Sequence, residues 1–580
     1  MSNYNPPLQD MQFVIKEWLE APQDWAGWEQ HSELDAELAA QVLEEAGKFT
    51  ANELAPLNVS GDEQGCRFEN GSVSTPAGFA GSYARYVESG WPSLCCAEED
   101  GGQGLPQLLN VALLEMLFSA NHAWAMYPGI AHGAYECLSE SAEPWIRERY
   151  LPLIVSGEAL PTMCITEPQA GSDIGLIRTR AEPEQDGAHR ISGNKIFISG
   201  GEQDITENIL HLVLARLPAA PAGPRGLSLF LVPKWLEQNG DRVRNGVHCI
   251  GIEHKLGIRG SATCSLSFEK ATGWLIGEPH AGLKAMFVMM NSARLHVGLQ
   301  GLGHAEKALQ AATDYARERR QMRAATRPGG CEPAAVDPIA YHAPVRHTLL
   351  ELRAFTEGMR ALGYWAGHML DALHQAEGEE AAVLQRRVAL LTPVVKAFFS
   401  EQGFRLASNA LQVFGGYGYT REYPIEQTLR DSRIVMIYEG TNEVQANDLL
   451  LRKVLGDGGQ GVQQLLALIR AEGARLAGAC PIYAKQLEAA AAGLDAVVGM
   501  MLDSQDAEYP YRAAGNFLRL MGLLLMAYAW ARTVRKSLNR EEPFYRQKLE
   551  TAGFFFNYLL PEYRYRVELI EAAASPMPFV

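Results

Sequence analysis

Basic clusters, metal-ligand spacings and export signals are what this chain has least of. Its 580 residues carry 51 Lys and Arg against 68 Asp and Glu, a net charge of -17, and the cations are scattered. That argues against nucleic acid as the main partner, because neutralising phosphates dominates such affinity. It leaves room for a phosphorylated small molecule held by a few arginines. Nine cysteines include the adjacent pair Cys95 and Cys96, but no CxxC and no Cys/His ligand spacing. An odd count without a framework reads as reduced, intracellular thiols, and no metal site is expected. The opening stretch Met1-Ser2-Asn3-Tyr4-Asn5-Pro6-Pro7 lacks the basic and apolar parts of a signal peptide. The most apolar run near the carboxyl end, Leu520 to Ala531, falls short of the about 20 residues that span a bilayer. A cytoplasmic protein without stable membrane insertion is the expectation. No Gly-x-Gly-x-x-Gly follows a strand-like run, so a doubly wound dinucleotide fold is unsupported, and no internal repeat is visible.

What is present is an ordinary globular composition, 47% hydrophobic and 21% charged, in a chain long enough for more than one domain. Residues 1–161 read mainly as helices, for example Leu34 to Thr50 and Leu108 to Leu117, broken by a flexible loop at Gly101-Gly102-Gln103-Gly104. From Thr162 short alternating runs take over, among them Lys195 to Ser199, Ile209 to Leu214, Leu227 to Val232 and Cys264 to Phe268. Residues 162–280 therefore read as an antiparallel sheet or small barrel. Helical periodicity returns in 281–456, with long helices expected over Gly282 to Arg320 and Tyr341 to Ala376, as in a four-helix bundle. A glycine-rich stretch, Gly456 to Gly461, looks like a linker to further helices in 457–580, including Tyr511 to Leu538 and Phe554 to Ala573. Segregated helices and strands make the fold class α+β.

The strongest single chemical signal is Tyr438-Glu439-Gly440-Thr441. A carboxylate after the apolar run Ile434 to Tyr438 is set up for partial desolvation, which raises its pKa and suits a general base. Gly440 allows close approach of a ligand, and Thr441 and Glu443 add polar groups on the next turn. Taken alone, a glutamate before a glycine is more often a solvated turn residue.

Three other segments accompany it in order: Met163-Cys164-Ile165-Thr166-Glu167-Pro168-Gln169-Ala170-Gly171-Ser172-Asp173, then Gly193-Asn194-Lys195-Ile196-Phe197-Ile198-Ser199, then Gln412-Val413-Phe414-Gly415-Gly416-Tyr417-Gly418-Tyr419 running into Arg430-Asp431. Together the four resemble the FAD-dependent acyl-CoA dehydrogenases over roughly residues 30 to 455. The resemblance implies that the Met163, Ile165 and Thr166 segment binds the flavin's pyrimidine edge, with Ser172 near the pyrophosphate and the acyl-CoA. Phe197 stands where the family usually has Trp against the isoalloxazine, and Ser199 where it has Thr near flavin N5. By themselves, the first of these segments reads as a strand ending in a turn and Phe197 as a core residue. Phe197 and Ser199 alternate with Ile196 and Ile198, which puts them on one strand face. Gln412, Gly415 and Gly416 match backbone contacts to the FAD of a neighbouring subunit, and Arg319 matches an arginine for the pyrophosphate. Arg294 matches a helix arginine that can tune the base. The resemblance also implies that Thr441 and Glu443 lie with the cofactor, and Arg294, Glu439 and Gly440 with the substrate.

Some branches of the family carry the base beside that helix arginine. Here Asn291, Ser292 and Ala293 precede Arg294, so the resemblance assigns the role to Glu439. It implies α,β-dehydrogenation of an acyl-CoA, with the thioester carbonyl held by the backbone N–H of the base and a ribityl hydroxyl of FAD. Electron-transferring flavoprotein would be the electron acceptor and a homodimer the assembly. The extra residues beyond Leu455 resemble the larger bacterial and very-long-chain types. The expected substrate is a medium- or long-chain fatty acyl-CoA of β-oxidation, with a specialised one such as methylthiopropionyl-CoA as the alternative. Chain length would be set near Tyr127, Pro128 and His132. A DNA-binding relative relies on a basic carboxyl-terminal region. Here Arg532, Arg535, Lys536 and Arg540 cluster, but acidic residues follow, and no nucleic-acid partner is expected.

Overall fold

The computed structural model describes residues 4–579 apart from 186, 239 and 333. It forms two compact units that cut across the four segments read from sequence. One takes the chain up to Gly47, Pro106–Ser119 and everything from Arg294 onward; the other takes Lys48–Leu105 and Ala120–Ala293.

The second unit is built round a seven-stranded sheet. Its strands Thr263–Ile276, His189–Ser199, Arg180–Pro183, Asn208–Arg216 and Leu227–Pro233 pair in sequence, and the last pairs back to the first, closing a small barrel. Ala159–Cys164 and Val247–Ile252 extend it. The expectation of an antiparallel sheet needs correcting, because Ala159–Cys164 runs parallel to Asn208–Arg216 and Arg180 pairs with Arg216 in the same sense. The reason is two-sided burial. Ile209 to Ala215 are all buried, as happens to a strand covered on both faces, and apolar runs do not report strand direction. Val213 and Ala215 face the barrel interior with Ile191, Ile198, Phe230 and Phe268. Leu210, Leu212 and Leu214 pack outward against the helices Ala131–Ser141 and Pro144–Val155.

Two local features depart from the sequence reading. Arg67–Glu69 and Ser72–Ser74 form a short hairpin inside a stretch read as helical. The Gly101–Gly104 loop is not loose: Gly102, Gln103, Gly104 and Leu105 donate to Ala97, Ser93, Cys96 and Leu94 carbonyls. A side chain at Gly102 would stand 2.0 Å from Cys96 O, so the glycine there permits contact rather than flexibility.

The first unit is helical. Ala343–Gln375 and Gly378–Phe414 lie with the part of Gly282–Glu318 that follows Arg294. Gly301 and Gly403 let two of these axes close up, since a Cβ at Gly403 would meet Gly301 O at 2.4 Å. The stretch at Gly456–Gly461 is a capped turn instead of a loose linker: the Asp457 carboxylate accepts from Gly459 N and Gly461 N, each at 2.9 Å. Helix Tyr509–Ser537 follows, 29 residues long with mean hydropathy 1.3 over its most apolar window, enough in length and composition to cross a bilayer. The apolar run from Leu520 lies inside this helix, which falls within two residues of the one expected over Tyr511 to Leu538. Its window is 94% buried within the fold. Trp530 Nε1 donates to Ala354 O, Trp18 Nε1 donates to Ala529 O, and Gly522 faces the Phe398 ring. It is a core helix of this unit. The basic cluster on and after it is internally paired: Arg532 and Lys536 with Glu20, Arg535 with Glu472, Arg540 with Glu17.

Candidate active site

In the helical unit the loop after the 3-10 turn Arg433–Met436 carries Glu439 with φ 56 and Gly440 with φ 83. A left-handed conformation suits glycine but costs a glutamate about 1–2 kcal/mol, and such strain persists only where surroundings impose it. They do so through side chains. Gln445 Nε2 donates to Glu439 O at 3.2 Å, and Lys396 Nζ donates to Gly440 O at 2.7 Å. The preceding Tyr438 donates its hydroxyl to Gln300 Oε1. Beyond the turn, Thr441 caps the Asn442–Asn447 helix by accepting from Val444 N, and exposed Glu443 sits in its first turn. That position favours the charged carboxylate, and Glu443 is held below the usual carboxylate range, first by its own backbone N–H.

Glu439 itself is pushed the other way. The protein packed round its carboxyl desolvates it and raises its pKa, while Arg294 and Lys396 pull it back down. Its side chain is still partly open to solvent. Arg294 reaches Asp448 at 3.8 Å, and its buried Nε has no partner among the described residues. The backbone N–H of Glu439 likewise finds no acceptor among the described residues. The turn therefore presents a raised carboxyl and a free N–H donor side by side. That pair suits proton abstraction next to a carbonyl whose oxygen is gaining charge.

A second group sits on the same unit, about 24 Å along the Gly378–Phe414 helix from Lys396. Gln412, Gly415 and Gly416 are all exposed, and a Cβ at either glycine would meet nothing within 4 Å. Arg319 stands over the Tyr417 ring at 5.7 Å, and Tyr315 stacks on Phe414 at 4.2 Å. Arg319 and the glycine loop are thus brought together, as a surface rather than an enclosed site.

In the barrel unit, Thr166 O accepts from Ile196 N at 2.9 Å, which joins the Met163–Asp173 segment to the Gly193–Ser199 strand. Between them lies Glu167, which sequence reading passed over. It takes Lys195 Nζ at 2.9 Å, Thr179 Oγ1 at 2.6 Å, Arg178 N at 2.7 Å and Thr179 N at 3.1 Å. Burial opposes its charge, but Lys195 and these donors win and hold its carboxyl at about 2. The following Gly171-Ser172-Asp173 turn is exposed, with Asp173 accepting from Gly175 N. Cys164 points into the barrel while Met163 and Ile165 pack on its other side, partly exposed.

Phe197 is the least expected side chain here. It is 59% exposed and has φ 60. The register slips between Cys264 and Leu266 opposite Ile198 and Lys195, so Phe197 lies in a β-bulge. The simple alternation expected for this strand is therefore corrected: Lys195 and Ile198 are buried, while Ile196, Phe197 and Ser199 keep exposure. A bulge re-aims a side chain, and this one leaves the Phe197 ring turned outward. Tyr127 is buried, with its hydroxyl taking Ala262 N and giving to Gly260 O, so it braces the adjoining loop. His132 is held up at about 10: burial opposes its charge, but Glu136 at 3.3 Å and Cys96 outweigh it.

Lys396, Asn442, Gln445 and Glu167 are the polar groups that sequence reasoning missed. Lys396 had a signal, as a lone charge in Val394-Val395-Lys396-Ala397-Phe398-Phe399. The others have none outside their fold.

Comparison with known proteins agrees along the whole chain. Residues 36–158 match the acyl-CoA dehydrogenase N-terminal domain, 162–271 its middle domain and 280–453 its C-terminal domain. Residues 462–578 match the acetyl-CoA dehydrogenase C-terminal-like family. The chain is 40% identical over 573 residues to the 3-methylmercaptopropionyl-CoA dehydrogenase of Ruegeria pomeroyi, covering 96% of each. It is 33% identical over 606 residues to the broad-specificity linear acyl-CoA dehydrogenase FadE5 of Mycobacterium tuberculosis, covering 98% of each. Its fold matches a Bacillus anthracis acyl-CoA dehydrogenase complexed with FAD, with TM-score 0.77 and 22% identity over 94% of this chain and 90% of that one.

Proposed function

The chain belongs to the acyl-CoA dehydrogenases, and on that premise we propose that it oxidises a linear acyl-CoA thioester to the 2-enoyl-CoA with Glu439 as base. It is an FAD-dependent oxidoreductase, and its residues fit that cofactor. An exposed, strained Phe197 offers a face for a flavin ring, Thr166 and Ser199 offer hydroxyls, and Arg319 beside the open glycines suits phosphate. FAD, when bound, supplies the acceptor for the β-hydrogen, which leaves as hydride.

The protein's own work is acid–base and positional. The Glu439 carboxylate takes the α-proton, and the electron pair of that bond becomes the new double bond as the β-hydride departs. Its free N–H donates to the thioester oxygen, where negative charge develops. Arg294 opposes the rise in the Glu439 carboxyl and so favours its ionised form. Glu167 fixes the Thr166 loop to the strand of Phe197, so that ring-facing groups are preorganised. The single observation that carries this reading is the raised carboxyl and unbonded N–H on one left-handed residue.

For the acyl group we propose 3-methylmercaptopropionyl-CoA, the alternative among the sequence expectations, because likeness to that dehydrogenase runs over 96% of both chains. A linear fatty acyl-CoA of β-oxidation is the second reading, supported by the likeness to FadE5. The test is kcat/KM for 3-methylmercaptopropionyl-CoA against a series of straight-chain acyl-CoAs. A tenfold preference for the thioether supports the first reading, and a tenfold preference for a longer alkyl chain the second. We further propose a cytoplasmic homodimer, with the Gln412–Gly416 surface serving the partner's cofactor, and electron-transferring flavoprotein as acceptor.

A further inference from the structure

Lys396 has no exposed surface, in the middle of the apolar stretch of the Gly378–Phe414 helix. An ammonium so placed is costly unless fully bonded. Its hydrogen bonds go to Gly440 O at 2.7 Å and Asn442 Oδ1 at 3.1 Å rather than to a carboxylate. Asn442 is itself fixed, taking Ser400 Oγ at 3.1 Å and giving Nδ2 to Ala397 O at 3.2 Å. Both partners of the lysine therefore lie within three residues of Glu439, on the turn that holds it.

That placement does two things at once. The carbonyls of Glu439 and Gly440 are each pinned by a side-chain donor, Gln445 and Lys396, so the two consecutive left-handed residues cannot relax. The lysine also brings a positive charge to the base from the opposite helix to Arg294. Arg294 is shared with Asp448, which takes Arg452 at 3.4 Å as well. Among the described residues no carboxylate forms an ion pair with Lys396, so its field is left for the acids it faces, Glu439 and exposed Glu443. The remaining charged or titratable groups round the turn are Arg433, which faces Glu443, and the Tyr438 phenol bonded to Gln300. Burial lowers the lysine to about 8, which leaves it mostly charged at neutral pH.

We propose that Lys396 is a positioning residue for the base, its buried ammonium locking the Glu439–Gly440 turn and keeping the Glu439 carboxylate ionised for proton abstraction. This rests on the reading of Glu439 as base. It adds a group that acts through that base and touches neither substrate nor cofactor.

The test is the pH profile of kcat/KM on the FAD-loaded enzyme, comparing wild type with Lys396→Met, Lys396→Gln and Lys396→Arg. A base must be ionised to act, so kcat/KM falls as pH drops through its pKa. Removing a neighbouring positive charge raises that pKa by about one unit. Lys396→Met and Lys396→Gln should move the acid limb upward by about one pH unit, whereas Lys396→Arg should leave it within a few tenths. An acid limb unchanged in the uncharged variants would overturn the proposal. So would failure of both to fold or hold FAD, since that marks a purely structural lysine. If wild type itself shows no turnover dependent on Glu439, the reading of the base fails instead, and that outcome is seen before any Lys396 variant is needed.

Discussion

At Glu439 burial and charge oppose each other: desolvation raises the carboxyl, and Arg294 and Lys396 lower it without cancelling the rise. The net direction is upward, so activity should fall with decreasing pH at a higher value than an ordinary glutamate would give. A kcat/KM profile with its acid limb at or below pH 4 would contradict this. Glu167 is shifted in the opposite sense, to about 2, with Lys195 chiefly responsible for holding it down. A depressed folded-state value stabilises the protein above the ordinary glutamate range. That contribution should drain away as pH falls from about 4.3 toward about 2. Glu167→Gln leaves Lys195 buried without its counter-charge, and a loss of about 3–5 kcal/mol in denaturant unfolding is expected. At this scale the sequence showed which carboxylate stands in an apolar setting before a glycine. It did not show φ 56 or the donors that impose it, because those depend on Gln445 and on Lys396, 43 residues upstream of Glu439 in the chain.

Elements position these residues by close approach. The Tyr509–Ser537 helix meets Gly378–Phe414 at Gly522, where a Cβ would stand 2.2 Å from the Phe398 ring. Phe398 lies two residues from Lys396, so this contact backs the helix whose lysine reaches Gly440 O. Gly522→Val should therefore cost about 1–3 kcal/mol by overpacking, read as a lower Tm. An unchanged Tm would show that the two helices part easily there. The long helices were legible from periodicity, to within a few residues: Gly282–Glu318 and Ala343–Gln375 against expected Gly282 to Arg320 and Tyr341 to Ala376. Strand direction was not, since Ile209 to Ala215 are buried on both faces and alternate in nothing. The bulge at Phe197 was equally hidden. A two-residue repeat predicts faces only while the register holds, and here it slips between Cys264 and Leu266.

On the scale of the whole molecule, distant parts of the chain are tied by a buried ionic cluster. Arg360 donates to Glu115 at 2.6 and 2.9 Å and also to Asp10 and Glu306, while Lys548 reaches Glu357 at 2.8 Å and Asp10. These groups come from the first helix, the middle of the bundle and the last hundred residues, so the carboxyl-terminal segment is part of the same helical unit. Arg360→Met strips three buried carboxylates, Asp10, Glu115 and Glu306, of a cation they share and should cost about 3–5 kcal/mol, with a partial recovery at low pH as the acids take up protons. Stability unaffected by Arg360→Met would mean that Lys548 alone balances the cluster. The most direct measurement is anaerobic mixing of the FAD-loaded protein with 3-methylmercaptopropionyl-CoA or a straight-chain acyl-CoA, following flavin bleaching in wild type and Glu439→Gln. Wild type should bleach and release 2-enoyl-CoA, while the variant should bind FAD and ligand yet bleach slower by at least about 10³-fold. A correctly folded Glu439→Gln protein that bleaches at more than about a tenth of the wild-type rate would contradict the account.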